Sequence, residues 1–347
     1  LPINCYSLSL FTLSLAIGTT ITLTSHHWLL AWVGLEINTL ALIPIMTKNP
    51  HPRAIEAATK YFLTQATAST LILFSTLISA WQTGEWMTSL LSNHTSITLA
   101  IALMMKLGLA PMHFWMPEVL QGIPLSSGLI LSTWQKIAPM TLLIQISDLI
   151  NLELLFTIGL ISILIGGWGG INQTQLRKII AFSSIGHLGW MIMILKLSPQ
   201  LTLFNFILYL TMTLAMFLAL MTTNSTKMLD TSTIYSKIPS LAPIILLILL
   251  SLAGLPPLTG FAPKLLITLE LVKQNATPLA TLIMFISLLA LFFYLRLTYI
   301  TTLTMFPNNS NSAPMWHFAT KMNPLTTPLS SMALLIFPLT PTLMLLL

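Results

Sequence analysis

Apolar residues run along this chain in long blocks, not in the alternating or one-faced patterns of strands and helices that meet water. A block of about 17–25 residues is long enough to cross a hydrocarbon core of about 30 Å as a helix. The pattern predicts such helices near 3–23, 28–46, 57–80, 97–113, 124–146, 153–170, 174–195, 201–222, 241–268, 277–300 and 326–346. The longest connections, 81–96, 223–240 and 301–325, are too short to hold a separate soluble domain. The expected fold is a single all-α polytopic bundle of about eleven transmembrane helices.

Composition agrees with that pattern. The 347 residues are 55% hydrophobic and only 6% charged, whereas a soluble domain carries roughly a quarter charged residues. The net charge of +6 is dispersed along the chain, so it predicts an orientation and not a nucleic-acid partner. With eleven spans, the N-terminus and alternate loops gather Lys48, Arg53, Arg177, Lys178, Lys227, Lys237 and Lys321, with Arg296 close by. The other side receives Lys196 and Lys273 together with Glu85, Asp148, Glu153 and Glu270. By the positive-inside rule the N-terminus is expected on the cytoplasmic or matrix side and the C-terminus opposite. The first 23 residues lack the basic region and cleavage site of a signal peptide, which predicts a retained helix.

Several chemistries lack equipment. One cysteine, Cys5, leaves neither a disulfide framework nor a cysteine-ligated iron–sulfur cluster. No CxxC, HExxH or GxGxxG motif occurs. The chain is therefore expected to bind no metal or redox cofactor of its own.

Charge inside the spans is the informative exception. Glu36 lies in WVGLEINTL, Lys106 in ALMMKLG, Lys136 in LSTWQKIAP, His187 in SSIGHLGW and Lys264 in GFAPKLL. A charged side chain at the bilayer centre costs roughly 2.5–3.5 kcal/mol and usually faces a bundle interior or a water-filled cavity. Lys60 and Arg296, near predicted span ends, suit interfacial snorkelling or a structural ion pair. Lys106 and Lys136 sit deeper, and Glu36 is the only acid deep in any span, so a Glu36–Lys pair across helices is expected. His187 suits a hydrogen-bonded core residue as readily as a proton carrier. Burial disfavours the charged form of an amine and a neighbouring carboxylate restores it. A Glu–Lys–Lys set is thus a relay whose proton affinity can be modulated.

Two spans are interrupted. Lys106 is followed by LGLAPMHFWMPE, and residues 250–264 read LSLAGLPPLTGFAPK. Proline removes a backbone donor, and irregular backbone at membrane depth survives only against protein or a water-filled cavity. Gly and Pro are common in transmembrane helices, so one break alone would mean little. Two breaks in corresponding positions of two halves point to an ion or substrate site in an inverted-repeat transporter. They fall in spans four and nine. Because five is odd, the halves would be inverted five-helix repeats, about 1–146 and 153–300, with 326–346 as an added helix.

The segments KLGLAPMHFWMPEVLQGIPLSSGLILSTWQK, NQTQLRKIIAFSSIGHLGW and LSLAGLPPLTGFAPK resemble signatures of the proton-translocating, antiporter-like subunits of respiratory complex I. SHHWLLAWVGLEINTLALIPIM and HPRAIEAATKYFLTQATAS are similar to its mitochondrial members. The resemblance covers nearly the whole chain. It implies a proton-translocating subunit of an NADH:ubiquinone reductase in the mitochondrial inner membrane, N-terminus in the matrix and C-terminus in the intermembrane space. It implies a Glu–Lys pair at Glu36 and Lys106, a central relay lysine at Lys136 and a terminal one at Lys264, with His187 assisting. NADH, FMN, iron–sulfur clusters and ubiquinone would belong to other subunits. The implied partners are those subunits, especially neighbouring antiporter-like and small membrane subunits, together with membrane lipids. A stand-alone cation/proton antiporter and a purely structural scaffold are the alternatives.

Overall fold

A backbone surrounded by hydrocarbon has to satisfy its own polar groups, and helices do so within one segment. The computed structural model describes residues 5–48, 50–87, 91–232, 234, 238, 240–303 and 324–346. Among them no β-strand forms, only two isolated bridges, His27 with Met87 and Gln175 with Lys227. Lys237 and Lys321, counted above toward the basic side, lie outside the described residues. The chain divides into two compact units, Leu1–Gly159 and Leu160–Leu347.

The first unit contains α1 (Cys5–Thr24), α2 (Trp28–Met46), α3 (Pro52–Thr83), α4 (Asn93–Leu107), α5 (Trp115–Gly122), α6 (Leu125–Ser132) and α7 (Trp134–Gln145). α8 (Leu152–Ile171) runs across the division. The second unit contains α9 (Leu176–Ile194), α10 (Pro199–Thr223), α11 (Met228–Ser232), α12 (Leu241–Ala253), α13 (Phe261–Lys273), α14 (Thr277–Leu303), α15 (Thr326–Leu335) and α16 (Thr340–Leu346). Among the described residues six helices, α1, α2, α3, α8, α10 and α14, are long and apolar enough to cross a membrane unaided. The pair Thr326–Leu335 and Phe337–Met344, bent by 61°, is a seventh candidate.

Local chemistry explains the starts of the long helices. Pro52 and Pro199 open α3 and α10 at positions that need no amide donor. His27 and His51 cap α2 and α3, each Nδ1 accepting a backbone N–H (Leu29 and Arg53) at 3.2 Å. In the first unit α1 packs on α2, α3 on α4 and α5, and α4 on α7, around the fully buried Trp28, Tyr61, Leu42 and Leu103. In the second, α10 packs on α9, α12 and α15 around Phe204, Tyr209 and Phe217.

The interruptions depart from the predicted spans. The fourth span ends at Leu107, not near 113, because Gly108 turns into the left-handed region at φ 78° and closes α4. The ninth is divided likewise, with Gly254 at φ 79° ending α12 before α13 begins at Phe261. The fifth, expected as one helix over 124–146, is two helices that meet at Thr133 (φ −115°, ψ −72°).

At Gly254 an added Cβ would lie 2.8 Å from both Cε and Nζ of Lys264. Left-handed backbone costs an L-residue about 1–2 kcal/mol, and the lysine would also have to move. Gly84, at φ 76° with nothing within 4 Å of such a Cβ, bears the backbone cost alone. Gly254→Ala is therefore expected to lower the thermal unfolding midpoint more than Gly84→Ala does. Equal shifts would show that Lys264 does not depend on the open space at Gly254.

Candidate functional site

In the first unit, helix ends and orphaned polar atoms converge. Lys106 lies in the last turn of α4, 6% exposed, and its Nζ has no hydrogen-bond partner. The exposed carbonyls at a helix C-terminus complement a cation there, and Gly108 fixes where that terminus falls. Glu36 on α2 is partly buried, with Oε2 buried and unpartnered. Its charge acts on Lys106, yet the two make no ion-pair contact within 4 Å among the described residues. The expected Glu36–Lys106 pair is thus a separated pair, coupled through the field and not through a hydrogen bond.

The break after Lys106 is braced by its own aromatic residues. Trp115 Nε1 donates to the Met105 carbonyl at 3.2 Å, and the Trp115 ring lies over Gly108. His113 is 5% exposed, its Nδ1 lies 3.1 Å from the Pro111 carbonyl, and its ring centroid is 4.2 Å from that of Phe114. Lys136 stands in the first turn of α7 and is 3% exposed. Beside it, Gln135 Nε2 donates to the Tyr61 hydroxyl at 2.8 Å. Tyr61 is fully buried against Trp115. Neither Tyr61 nor Gln135 stood out in the sequence. The available signal was a glutamine adjoining an intramembrane lysine.

The second unit holds Lys264 and His187. Lys264 lies in the first turn of α13, and its Nζ donates to the carbonyl of Ala253, the last residue of α12, at 2.7 Å. The lysine on one half of the broken helix thereby caps the carbonyl end of the other half. In the first break the lysine precedes the glycine, whereas here it follows. Lys264, His187, Ser183 and Tyr294 line a cavity of about 20 Å³, room for about one water molecule. Lys264 also borders a groove of about 470 Å³ walled by Met284, Phe285 and Leu288. His187 is partly buried, its ring 5.9 Å from that of Tyr209.

The charges read as structural do have structural partners. Arg296 Nη1 donates to the Ile171 carbonyl at 2.8 Å, closing the end of α8. Lys60 makes the structural ion pair: its Nζ lies 2.8 Å from Glu56 and 2.7 Å from Glu118 on α5.

A family model described as NADH:quinone oxidoreductase/Mrp antiporter, TM, matches residues 25–291. A second, NADH dehydrogenase subunit 2 C-terminus, matches 291–344. NADH-ubiquinone oxidoreductase chain 2 of Aquarana catesbeiana is 69% identical over 343 residues, spanning 99% of this chain and 100% of that protein. A chain in the structure of respiratory complex I from Thermus thermophilus superposes with a TM-score of 0.82 at 26% identity, covering 97% of this chain and 81% of that one. A chain of the Mrp complex from a Dietzia species shares the fold, with a TM-score of 0.81 at 17% identity over 96% of this chain and 75% of that one. On both its family matches and its identity to chain 2 relatives, the chain belongs to the NADH–ubiquinone oxidoreductase chain 2 family.

Proposed function

We propose that this chain is a membrane-arm subunit of respiratory complex I that moves protons across the mitochondrial inner membrane, N-terminus in the matrix and C-terminus in the intermembrane space. Electrons pass from NADH through FMN and iron–sulfur clusters to ubiquinone in partner subunits, and no redox centre belongs to this chain. The proton path runs through Glu36, Lys106, Lys136 and Lys264, with His187 beside its second half. The observation that carries this reading is Lys106: a buried, unpartnered ammonium whose nearby counter-charge, Glu36, stops short of contact. A structural ion pair would close that gap, because a buried charge is expensive unless its partner bonds it. A separated pair leaves both groups able to change protonation when their spacing changes.

Two five-span repeats and eleven spans in all accord with the internal likeness of the units. Gly108 and Gly254 are 146 residues apart, as are Pro111 and Pro257, and Pro117 and Pro263. In each proposed repeat an isolated bridge joins the residue before the second helix (α2 or α9) to the segment after the third (α3 or α10). We read these as repeats of about 1–146 and 153–300, followed by a helix near 326–346, in one transmembrane domain.

The test is Lys106→Met in the assembled complex, reconstituted into sealed vesicles. The expected result is normal assembly with NADH-driven proton translocation lost. Normal assembly with unchanged translocation would overturn the relay. Failure of the native chain to migrate with NADH–quinone reductase activity would favour a stand-alone antiporter.

A further inference from the structure

The two broken helices are braced differently. In the first break Trp115 bonds the Met105 carbonyl from within its own segment. The residues 146 places further on are Phe261 and Ser251, and a phenylalanine ring has no proton to donate. The second break draws its support from the last span instead. Thr259, in the segment between α12 and α13, donates its hydroxyl to the carbonyl of Ala333 on α15. Both residues are buried. The Phe261 ring lies 6.2 Å, centroid to centroid, from that of Phe337 just beyond α15.

The pairing follows from what each partner lacks. α15 ends at Leu335, where the last span bends by 61°. The Ala333 carbonyl therefore belongs to a final turn whose carbonyls have no donor within the helix. Pro338, in the bend, has no amide hydrogen to offer. Residues 254–260 are irregular backbone inside an apolar unit and need protein around them. On their other side Gly260 leaves no room for a Cβ against the carbonyl of Ser251 in α12. The segment is thus clasped between the last turns of α12 and α15, two helices that also pack on one another.

We infer that Thr259 is a positioning residue for Lys264: its hydrogen bond to Ala333 lets the last span set how the two halves of the second broken helix meet. Lys264 Nζ reaches across that join to the Ala253 carbonyl at 2.7 Å. Thr259 stands in the chain between the two. When its segment leaves α15, the first turn of α13 shifts against the end of α12 and the amine loses its carbonyl. Thr259 does not titrate, and α12, α15 and residues 254–260 contain no titratable side chain. A pH response to a change at Thr259 therefore reports Lys264 and the groups around it. The helices packed against α13 are α9, α10 and α14. His187 on α9 and Tyr294 on α14 line a cavity with Lys264, and Tyr209 on α10 has its ring 5.9 Å from that of His187. Arg177, Lys178, Arg296 and Tyr299, on the same helices, line neither that cavity nor the groove beside Lys264. On α13 itself, Glu270 and Lys273 pair with each other at 3.5 Å.

This inference rests on the relay reading, and the experiment separates the two. Thr259→Val, Thr259→Ser, Phe337→Leu and Lys264→Met are each measured as assembled complex in sealed vesicles, following protons moved per NADH oxidised across a range of pH. Losing one neutral hydrogen bond weakens the docking of the segment by a factor of about two to ten. The ratio in Thr259→Val is expected to fall within that range, with its pH profile displaced. Thr259→Ser, which keeps the hydroxyl, is expected to restore both. Phe337→Leu loosens the same contact from the side of the last span and is expected to displace the profile in the same direction. Should Thr259→Val fail to assemble, Phe337→Leu decides the question by the same readouts. A lowered ratio with an undisplaced profile would mark Thr259 as packing only and overturn the inference. An unchanged ratio and profile in Thr259→Val, with translocation lost in Lys264→Met, overturns the role of Thr259 alone. Unchanged translocation in both overturns the place of Lys264 in the relay with it.

Discussion

Replacing Lys136 with methionine is expected to yield a chain that assembles, resists heat at least as well as the original, and moves no protons. The two side chains have similar length, and methionine adapts readily to irregular core space. Lys136 is 3% exposed in the first turn of α7. Holding an amine there is an energetic burden, and exchanging buried charge for well-packed apolar groups is often neutral or stabilising by about 1–4 kcal/mol. If Lys136 were there for architecture, its removal would lower stability. If it is there to carry a proton, stability holds while function goes, the familiar exchange of stability for activity at functional sites. Thermal unfolding of the purified complex and proton uptake by reconstituted vesicles, taken together, decide between them. Reduced stability with normal proton uptake would return Lys136 to the scaffold.

Legibility in the sequence followed the physics of each feature. Helix α2 coincides with its predicted span, Trp28–Met46, because an apolar block bounded by His27 and Thr47 has one way to satisfy its backbone in lipid. The two breaks at Gly108 and Gly254 were legible because glycine and proline are specific backbone signals. The division at Thr133 was not. Its flanks are ordinary apolar residues, and Pro139, the stronger sequence signal, lies inside α7 without ending it. Hydrophobic length reports that a segment is buried in lipid and says little about where its axis bends.

The candidate site divides along the same line. Glu36, Lys106, Lys136 and Lys264 stood out because charge is rare and costly in apolar spans. Tyr61 did not, since a tyrosine in an apolar helix looks like any core aromatic until the partner of its hydroxyl is known. That partner, Gln135, is 74 residues away, and no local pattern links the two. The gap between Glu36 and Lys106 was equally hidden. Opposite charges in one bundle predict attraction, but the distance kept between them is set by the packing of α2, α3 and α4.

That gap leads to the second large effect, in a double-variant cycle on Glu36 and Lys106. Removing one member of a buried pair leaves the other charge uncompensated, at a cost of about 3–5 kcal/mol. Glu36→Gln and Lys106→Met are each expected to lower the stability of the assembled complex by an amount toward the low end of that range, because the pair is separated and each group already bears part of the cost. The double variant is expected to be more stable than either single one, by a coupling of about 1–3 kcal/mol, since residues that share a field do not act additively. Thermal unfolding of all four forms measures this coupling directly. A coupling near zero would mean that Glu36 does not sense Lys106 across the gap, and the relay would then lack the element that lets one residue's charge govern the other's. A strong coupling, with proton translocation lost in all three variants, would mark the separated pair as the point where a change in helix spacing becomes a change in protonation.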